Sequence, residues 1–233
     1  MLRLLLTCEH GGNKVPVSYE ALFKGQEDTL QTHRGYDIGA LELFDKMKSV
    51  ADVHFHSETT RLLVELNRSV GHPKLLSEFS CVLPEKDRER LLQVHYFPYR
   101  EKVEHMIQDF VSAGRRVLHI AVHSFTPVLD GEERKADIGL LYDPKRKHEQ
   151  ALCRQWKKKL QQNDKDLVIR FNYPYLGIAD GLPSYLRRKF TGDQYIGIEL
   201  EVNQRFPIQE SDKWASLQRL LTNTVEELLQ ENR

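Results

Sequence analysis

Several stretches of the chain are almost entirely apolar, which is the pattern of strands buried on both faces of a sheet. The strongest runs cover residues 2–8 and 117–122, and a third covers residues 61–66. Shorter apolar or alternating runs predict further strands at residues 53–56, 138–142, 168–171 and 195–202. Polar turns or helical stretches separate these runs, so each ends at a length typical of a strand.

Apolar residues three or four positions apart predict helices between the strands. These helices cover residues 37–50, 85–113, 148–162 and 211–229, and Gly114 fits the end of the second. Because strands alternate with helices, we predict a single α/β domain over residues 1–233, with a mostly parallel or mixed central sheet flanked by helices. In such sheets, ligands bind beyond the carboxyl ends of the strands.

Composition and charge narrow the classes of function. The 233 residues include 34 Lys and Arg against 34 Asp and Glu, and 40% of the residues are apolar. A disordered chain would have fewer apolar residues and a higher net charge. A zero net charge gives no overall basic field for nucleic acid, and no run reaches the ~18 apolar residues of a membrane helix. We therefore expect a globular protein with neither a nucleic-acid nor a membrane partner.

The number and spacing of the cysteines indicate the redox compartment of the protein but not its oligomeric state. Cys8, Cys81 and Cys153 lie far apart and form no CxxC pair, so we expect a reducing, cytoplasmic environment. No exposed heptad or long apolar edge strand stands out, and the sequence leaves the oligomeric state open.

Chemically capable side chains stand at or near the ends of four predicted strands. They are Glu9-His10, Asn67-Arg68, His123-Ser124 and Glu199, the last on the same strand face as Glu201. If the strands are parallel neighbours, these groups meet in one crevice. Imidazole and carboxylate bind catalytic zinc, a carboxylate accepts a proton from water, and Arg beside Asn suits a substrate carboxylate. Each feature alone also fits an ordinary surface side chain, so the combination carries the prediction of a metal hydrolase.

Short motifs in a fixed order resemble those of one known family. They are residues 8–13 (CEHGGN) with 15–16 (VP), 34–40 (RGYDIGA), 61–69 (RLLVELNRS), 123–125 (HSF), 172–175 (NYPY) and 197–204 (GIELEVNQ). Together they resemble the N-formylglutamate amidohydrolase family across residues 7–205. That family is related in fold to the zinc carboxypeptidases, so the resemblance implies a phosphorylase/hydrolase-like, carboxypeptidase-type fold.

The resemblance also implies a metal site. His10 and His123 match the two histidine ligands of the carboxypeptidase zinc. Those enzymes have a glutamate ligand three residues after the first histidine, where this chain has Asn13. We therefore expect Asp37, which lies in a motif of the family, as the third ligand, with Glu9 as the alternative. The implied cofactor is a divalent metal, with zinc as the first choice.

The remaining roles follow from the same resemblance. Glu199 matches the general base, and Asn67 with Arg68 matches the pair that binds the substrate carboxylate. Arg61 is expected to stabilise the oxyanion or bind a second carboxylate if its segment bends back, and otherwise to pair with a neighbouring acid. The expected function is removal of a formyl-type acyl group from a small N-acyl amino acid such as N-formylglutamate.

Three alternatives stay open. A metal-free amidase would use Cys8 with His10, although a nucleophile and its base usually come from different elements. A family member that has lost its chemistry would bind a small molecule without turning it over. A related deacylase would take another acyl group, since nothing in the sequence sizes the acyl pocket. The aromatic-rich loop 171–190, with Arg187 and Arg188, is a candidate cover for the site, and an ordinary surface loop fits it equally well.

Overall fold

The computed structural model describes residues 1–232, and a six-stranded sheet lies at its centre. The described residues form eight strands in all, six in this sheet and two outside it. They are Leu2–Cys8 (β1), Val53–His56 (β2), Arg116–Phe125 (β3), Val128–Leu129 (β4), Glu132–Glu133 (β5), Ile138–Leu141 (β6), Ile169–Phe171 (β7) and Tyr195–Asn203 (β8). The main sheet has the order β2-β1-β3-β8-β6-β7, while β4 and β5 form a separate hairpin. β6 runs antiparallel to β8, and the other neighbours in the main sheet are parallel. The α/β fold with a mixed, mostly parallel sheet is therefore confirmed.

Helices connect the strands and cover both faces of the sheet. They are Glu27–Leu30 (α1), Ala40–Met47 (α2), Glu85–Leu91 (α3), Phe97–Ser112 (α4), Lys147–Asn163 (α5), Leu182–Lys189 (α6), Arg205–Gln209 (α7) and Ser211–Asn232 (α8). Short 3-10 helices cover Val17–Phe23 and Lys48–Val50, and a π-helical turn covers Leu92–Tyr96. No helix among the described residues is long and apolar enough to cross a membrane.

Alternation along the strands sends the apolar and the polar side chains to opposite faces. On β8, Ile198 and Leu200 join the larger core, which packs against α2, α5 and α8. Glu199 and Glu201 point to the other face, where α4 and α6 cover the sheet around a smaller core. The same alternation on β3 places His123 on the face of the two glutamates. The polar groups of neighbouring strands therefore meet on one side of the sheet.

Residues 61–66 do not form the predicted strand. The segment runs as turns and irregular backbone, with its apolar side chains buried in a third small core. Its backbone N–H groups donate outside any strand ladder, from Arg61 to the Gly35 carbonyl at 3.1 Å and from Glu65 to the Leu75 carbonyl at 2.9 Å. An apolar run indicates that its side chains are buried, but it does not indicate which groups its backbone hydrogen-bonds to. A buried loop therefore has the same sequence pattern as a buried strand.

Two further differences from the predicted elements affect the site. The helix predicted from residue 37 begins at Ala40, because Gly39 has a non-helical φ of 82°. Glycine is required at this position, since an added Cβ would lie 2.6 Å from Cγ of Pro207. Asp37 is thus left in a turn ahead of the helix. The predicted loop 171–190 contains α6 in its second half, so only its first part is irregular.

Candidate active site

Three side chains expected as metal ligands converge at the carboxyl edge of the sheet. His10 follows β1, Asp37 lies in the turn before α2, and His123 is on β3. Oδ2 of Asp37 lies 3.2 Å from Nδ1 of His10 and 2.9 Å from Nδ1 of His123. All three residues are buried, and one ligand atom from each lies within 4.8 Å of the others. The group can therefore hold a metal ion.

Backbone contacts around the turn before α2 hold this arrangement. The Asp37 N–H donates to the His10 carbonyl at 3.0 Å, and the Ala40 N–H donates to the Asp37 carbonyl at 3.0 Å. The Ser124 hydroxyl donates to the Ile38 carbonyl at 2.8 Å. The three segments that carry the ligands are therefore cross-linked immediately beside them.

Each imidazole also has a carboxylate at its other nitrogen. Nε2 of His10 hydrogen-bonds to Oε1 of Glu65, and Nε2 of His123 lies 3.2 Å from Oε2 of Glu9 in an ion-pair contact. The Tyr99 hydroxyl donates to the other oxygen of Glu9 at 3.0 Å. A carboxylate at the remote nitrogen is common for metal-binding histidines, because it fixes the tautomer and the orientation of the ring.

Arg61 joins two of these carboxylates. Its Nη1 donates to Oδ1 of Asp37 at 2.9 Å, its Nε donates to Oε2 of Glu65 at 2.8 Å, and its Nη2 lies 2.6 Å from that same oxygen. These contacts use the carboxylate oxygens that do not face the imidazoles. Of the arrangements expected for Arg61, the structure has the ion pair with neighbouring acids, and the bent segment brings that pair into the site.

The pKa values of the cluster follow from its burial and its charges. Burial alone would raise the pKa of Asp37, but the charges of His10 and Arg61 hold it well below its usual range. Burial likewise opposes ionisation of Glu9, yet its contact with His123 lowers the pKa to about 2. Although burial lowers the pKa of an imidazole, the contacts with Asp37 and Glu9 raise the pKa of His123 well above its usual value.

The charge balance around the two rings fits a divalent cation. Glu9, Asp37 and Glu65 are three carboxylates in contact with the imidazoles, and Arg61 supplies one positive charge. With neutral rings, two negative charges would stay uncompensated in a buried region, which is costly. Burial lowers the pKa of both rings, but the surrounding carboxylates outweigh it and raise each pKa above its usual value. A cation of charge 2+ would supply the compensating positive charge.

Glu199 and Glu201 line the same cleft from β8. Glu201 lies opposite His123 in the β3–β8 register, and Glu199 lies two positions earlier on the strand. Oε1 of Glu199 accepts a hydrogen bond from Nδ2 of Asn67 at 3.0 Å, whereas Oε2 of Glu201 is buried with no hydrogen-bond partner among residues 1–232. Burial, reinforced by the charges of neighbouring carboxylates, raises the pKa of Glu201 to about 8.

Asn67 and Arg68 reach the cleft from the irregular segment rather than from a strand end. Besides binding Glu199, the Asn67 side chain accepts a hydrogen bond from the Leu182 N–H at 2.6 Å. Nη1 of Arg68 donates to the carbonyls of Asn67 and Asp180 at 3.0 and 2.5 Å. No carboxylate within the described part of the chain forms an ion pair with Arg68. Its guanidinium therefore presents positive charge to the cleft.

The cleft has a volume of about 350 Å³, and both charged and apolar side chains line it. Lys74 lines the cleft in addition to Arg61 and Arg68. The apolar lining residues are Leu129, Leu141, Tyr175, Leu176 and Ala179. A concave site of this size, with a few polar groups beside apolar side chains, suits a small molecule.

The candidate cover, loop 171–190, contributes to the site in part. Tyr175 and Leu176 line the cleft, but Arg187 is buried in an ion pair with Glu149 at 2.9 Å. The two arginines singled out in this loop do not line the cleft, and its contribution is largely apolar.

Cys8 does not join the site. β1 ends at Cys8 and the chain turns at residues 9–11, so the strand alternation that would place Cys8 and His10 on one side stops there. The thiol is fully buried in the larger core, and burial raises its pKa well above the usual value. A buried, protonated thiol is a poor nucleophile. The geometry therefore disfavours a metal-free amidase that uses Cys8 with His10.

Glu65 and Tyr99 are the site residues that sequence reasoning missed. The sequence does contain a signal for Glu65, since it is the acidic residue within the apolar run 61–66. Its position inside a predicted strand hid its role, because the turn that brings it to His10 depends on distant partners. Tyr99 carries no signal beyond its place on the predicted helix 85–113.

Taken together, the sheet, the cleft and the His-Asp-His group indicate an α/β enzyme that acts on a small molecule. Comparison with known families identifies it further. The model of the N-formylglutamate amidohydrolase family matches residues 2–206, and the chain therefore belongs to that family. Membership indicates a hydrolase that acts on an amide bond, and it confirms the resemblance found in the sequence.

The chain is also similar to solved structures. One is the gene product Atu2144 from Agrobacterium tumefaciens, with 25% identity and a TM-score of 0.79 over 97% of this chain and 91% of that one. Another is an N-formylglutamate amidohydrolase from Ralstonia eutropha, with 17% identity and a TM-score of 0.70 over 100% of this chain and 95% of that one. The second likeness concerns the fold. No curated protein sequence matches the chain significantly.

Proposed function

We propose that this protein is a divalent-metal-dependent amidohydrolase that deformylates N-formyl amino acids, with N-formylglutamate as the first substrate to test. The observation that carries the proposal is the convergence of His10, Asp37 and His123 in a cleft that also presents Arg68. Family membership supports hydrolysis of an amide bond. The reaction consumes one water and breaks the C–N bond of the formamide, giving formate and the free amino acid.

His10, Asp37 and His123 are the proposed ligands, and zinc is the proposed ion. Two imidazoles and one carboxylate are a common ligand set of catalytic zinc. When bound, the ion polarises the acyl carbonyl and lowers the pKa of water and of nearby carboxyl groups. Glu9, the alternative ligand, contacts the far nitrogen of His123 and is held there by Tyr99, so we assign it no place in the ligand set.

Arg68 is the proposed partner of the substrate's α-carboxylate. Only its Nη1 is used by protein carbonyls among residues 1–232, so the rest of the guanidinium fork stays available. A planar fork suits bidentate binding of a carboxylate. Asn67 uses its amide to join Glu199 to α6, and we assign it a positioning role. Lys74, which also lines the cleft, is the proposed positive charge for the second carboxylate of N-formylglutamate.

The proton of the attacking water needs an acceptor close to the ligand group. The family resemblance assigns this role to Glu199, but two observations favour Glu201. It lies opposite His123, and its Oε2 is buried with no hydrogen-bond partner among residues 1–232, whereas Oε1 of Glu199 is held by Asn67. We therefore propose Glu201 as the proton acceptor and Glu199 as the residue that orients Asn67. With a pKa of about 8 in the cation-free protein, Glu201 needs the positive charge of a bound ion to be ionised at neutral pH.

The test is product analysis with a defined metal content. Purified protein is stripped with a chelator, loaded with Zn²⁺ and incubated with N-formyl-L-glutamate. We expect equimolar formate and glutamate from the wild type and none from His123→Ala. Exposed His148 provides a matched control, and His148→Ala is expected to retain activity. A protein that binds these compounds but never releases formate or another acid, with any divalent metal or acyl group tried, would contradict the proposal and support a binding protein.

A further inference from the structure

Two buried carboxylates outside the proposed ligand set contact the two imidazoles. Glu65 binds Nε2 of His10, and Glu9 lies 3.2 Å from Nε2 of His123. Both glutamates are almost wholly buried, with 6% and 1% of their surface exposed. Asp37 approaches both rings from the opposite side, at their Nδ1 atoms. Each ring is therefore bracketed by a carboxylate at either nitrogen.

We propose that Glu65 and Glu9 are positioning residues that set the cation affinity of the His10, Asp37 and His123 group. When a cation is bound, a carboxylate at Nε2 keeps the ring proton on that nitrogen and leaves Nδ1 unprotonated, as a ligand atom has to be. The negative charge also makes the ring a stronger electron-pair donor. This inference rests on the metal site of the proposed function, and it is independent of the substrate and the reaction.

The contacts of the two glutamates show that neither is free to turn away from its ring. Oε2 of Glu65 is held by Arg61, and its Oε1 accepts the Asn67 N–H at 3.0 Å in addition to the His10 contact. One oxygen of Glu9 is held by the Tyr99 hydroxyl, which leaves the other facing His123. A glutamate side chain loses considerable rotamer freedom when it is fixed. Anchoring one oxygen of each carboxylate by a third residue is what a positioning role requires.

Arg61 connects the proposed ligand Asp37 with Glu65, a carboxylate outside the ligand set. It binds Oδ1 of Asp37 and Oε2 of Glu65, so that the remaining oxygen of each faces an imidazole. The orientation of Glu65 and that of the ligand Asp37 therefore depend on the same guanidinium. On the His123 side, the hydroxyl of Tyr99 provides the corresponding anchor for Glu9.

The experiment measures Zn²⁺ affinity by competition with a chromophoric chelator in wild type, Glu65→Gln and Glu9→Gln. Glutamine keeps the size of the side chain but removes the negative charge. Each variant is expected to bind Zn²⁺ about 10–100-fold more weakly, the usual effect of removing an outer partner of a metal-binding histidine. The matched control is Glu149→Gln, since Glu149 is a fully buried carboxylate paired with Arg187 that does not line the cleft. This control is expected to lose stability but to keep its Zn²⁺ affinity.

A second readout is the ¹⁵N NMR spectrum of the histidine rings in the Zn²⁺-loaded protein. The inference expects Nε2 protonated and Nδ1 bound in both rings of the wild type. It is overturned if Nε2 is the bound nitrogen, if both glutamate variants bind Zn²⁺ like the wild type, or if the Glu149 control weakens binding equally. Weakened Zn²⁺ binding in a protein without deformylase activity would support this inference while refuting the proposed reaction. Deformylase activity with unchanged Zn²⁺ affinity in both variants would support the proposed reaction while refuting this inference.

Discussion

Replacing Glu9 by glutamine changes the stability of the cation-free protein by an amount that follows from its environment. The Glu9 side chain is buried, and although burial opposes its ionisation, the contact with His123 lowers its pKa from 4.5 to about 2. A tenfold change in acid strength corresponds to ~1.4 kcal/mol. The difference between these pKa values therefore corresponds to about 3 kcal/mol of folding free energy at neutral pH.

This stabilisation has a defined pH dependence. As the pH falls, the unfolded chain takes up the Glu9 proton near pH 4.5, while the folded protein keeps Glu9 ionised until about pH 2. The contribution is thus complete above pH 4.5 and is lost as the pH falls toward 2. The free energy of unfolding of wild type is expected to exceed that of Glu9→Gln by about 3 kcal/mol at pH 7 and by roughly 1 kcal/mol at pH 3.

The assay is urea denaturation at a series of pH values with a chelator present. The control is Glu58→Gln, because Glu58 is partly exposed and pairs with exposed Lys14 at 2.8 Å. Exposed pairs of this kind contribute about 1 kcal/mol or less. Destabilisation by Glu9→Gln no greater than that of the control, or an effect that grows as the pH falls from 4.5, would contradict this role of Glu9.

The remaining predictions concern the proposed reaction. Glu201→Gln is expected to lower kcat by about 10²–10⁴-fold with little change in KM, as for loss of a general base; steady-state kinetics with Glu199→Gln alongside decide the assignment, which fails if Glu199→Gln alone abolishes turnover. Arg68→Ala is expected to raise KM for N-formylglutamate by about 10–100-fold, since a hydrogen bond to a charged group contributes about 1.5–3 kcal/mol; an unchanged KM would contradict its carboxylate-binding role. Lys74→Met is expected to reduce the preference for N-formylglutamate over N-formylglutamine in kcat/KM, and an unaltered ratio would exclude Lys74 from recognition.

The strands of the main sheet could be predicted because burial determines their pattern. β1 and β2 have the predicted bounds, and β3 extends the predicted run through His123 to Phe125. β1 and β3 are central strands buried on both faces, which gives a continuous apolar run, whereas the edge strand β2 alternates between half-buried and exposed residues. The run 61–66 has a similar composition but packs as a loop in a separate core, since the pattern carries no information about backbone partners.

The candidate site could be predicted where its residues follow strands or lie in recognisable motifs. His10, His123, Glu199 and Asp37 all line one cleft, as expected from the carboxyl ends of parallel strands and from the family resemblance. The roles of the remaining site residues depend on contacts between distant segments. Glu65 reaches His10 across 55 positions, and Tyr99 reaches Glu9 across 90. Such contacts arise from tertiary packing and leave no local pattern in the chain.

The most direct test of the metal site is elemental analysis of the purified protein, without chelator and after incubation with Zn²⁺, for wild type and His123→Ala. We predict about one equivalent of a divalent metal in the wild type, the content of a single catalytic site, and its loss in the variant. A wild-type protein that holds no divalent metal under these conditions, or a variant that keeps the full equivalent, would contradict the assignment of His10, Asp37 and His123 as a metal centre.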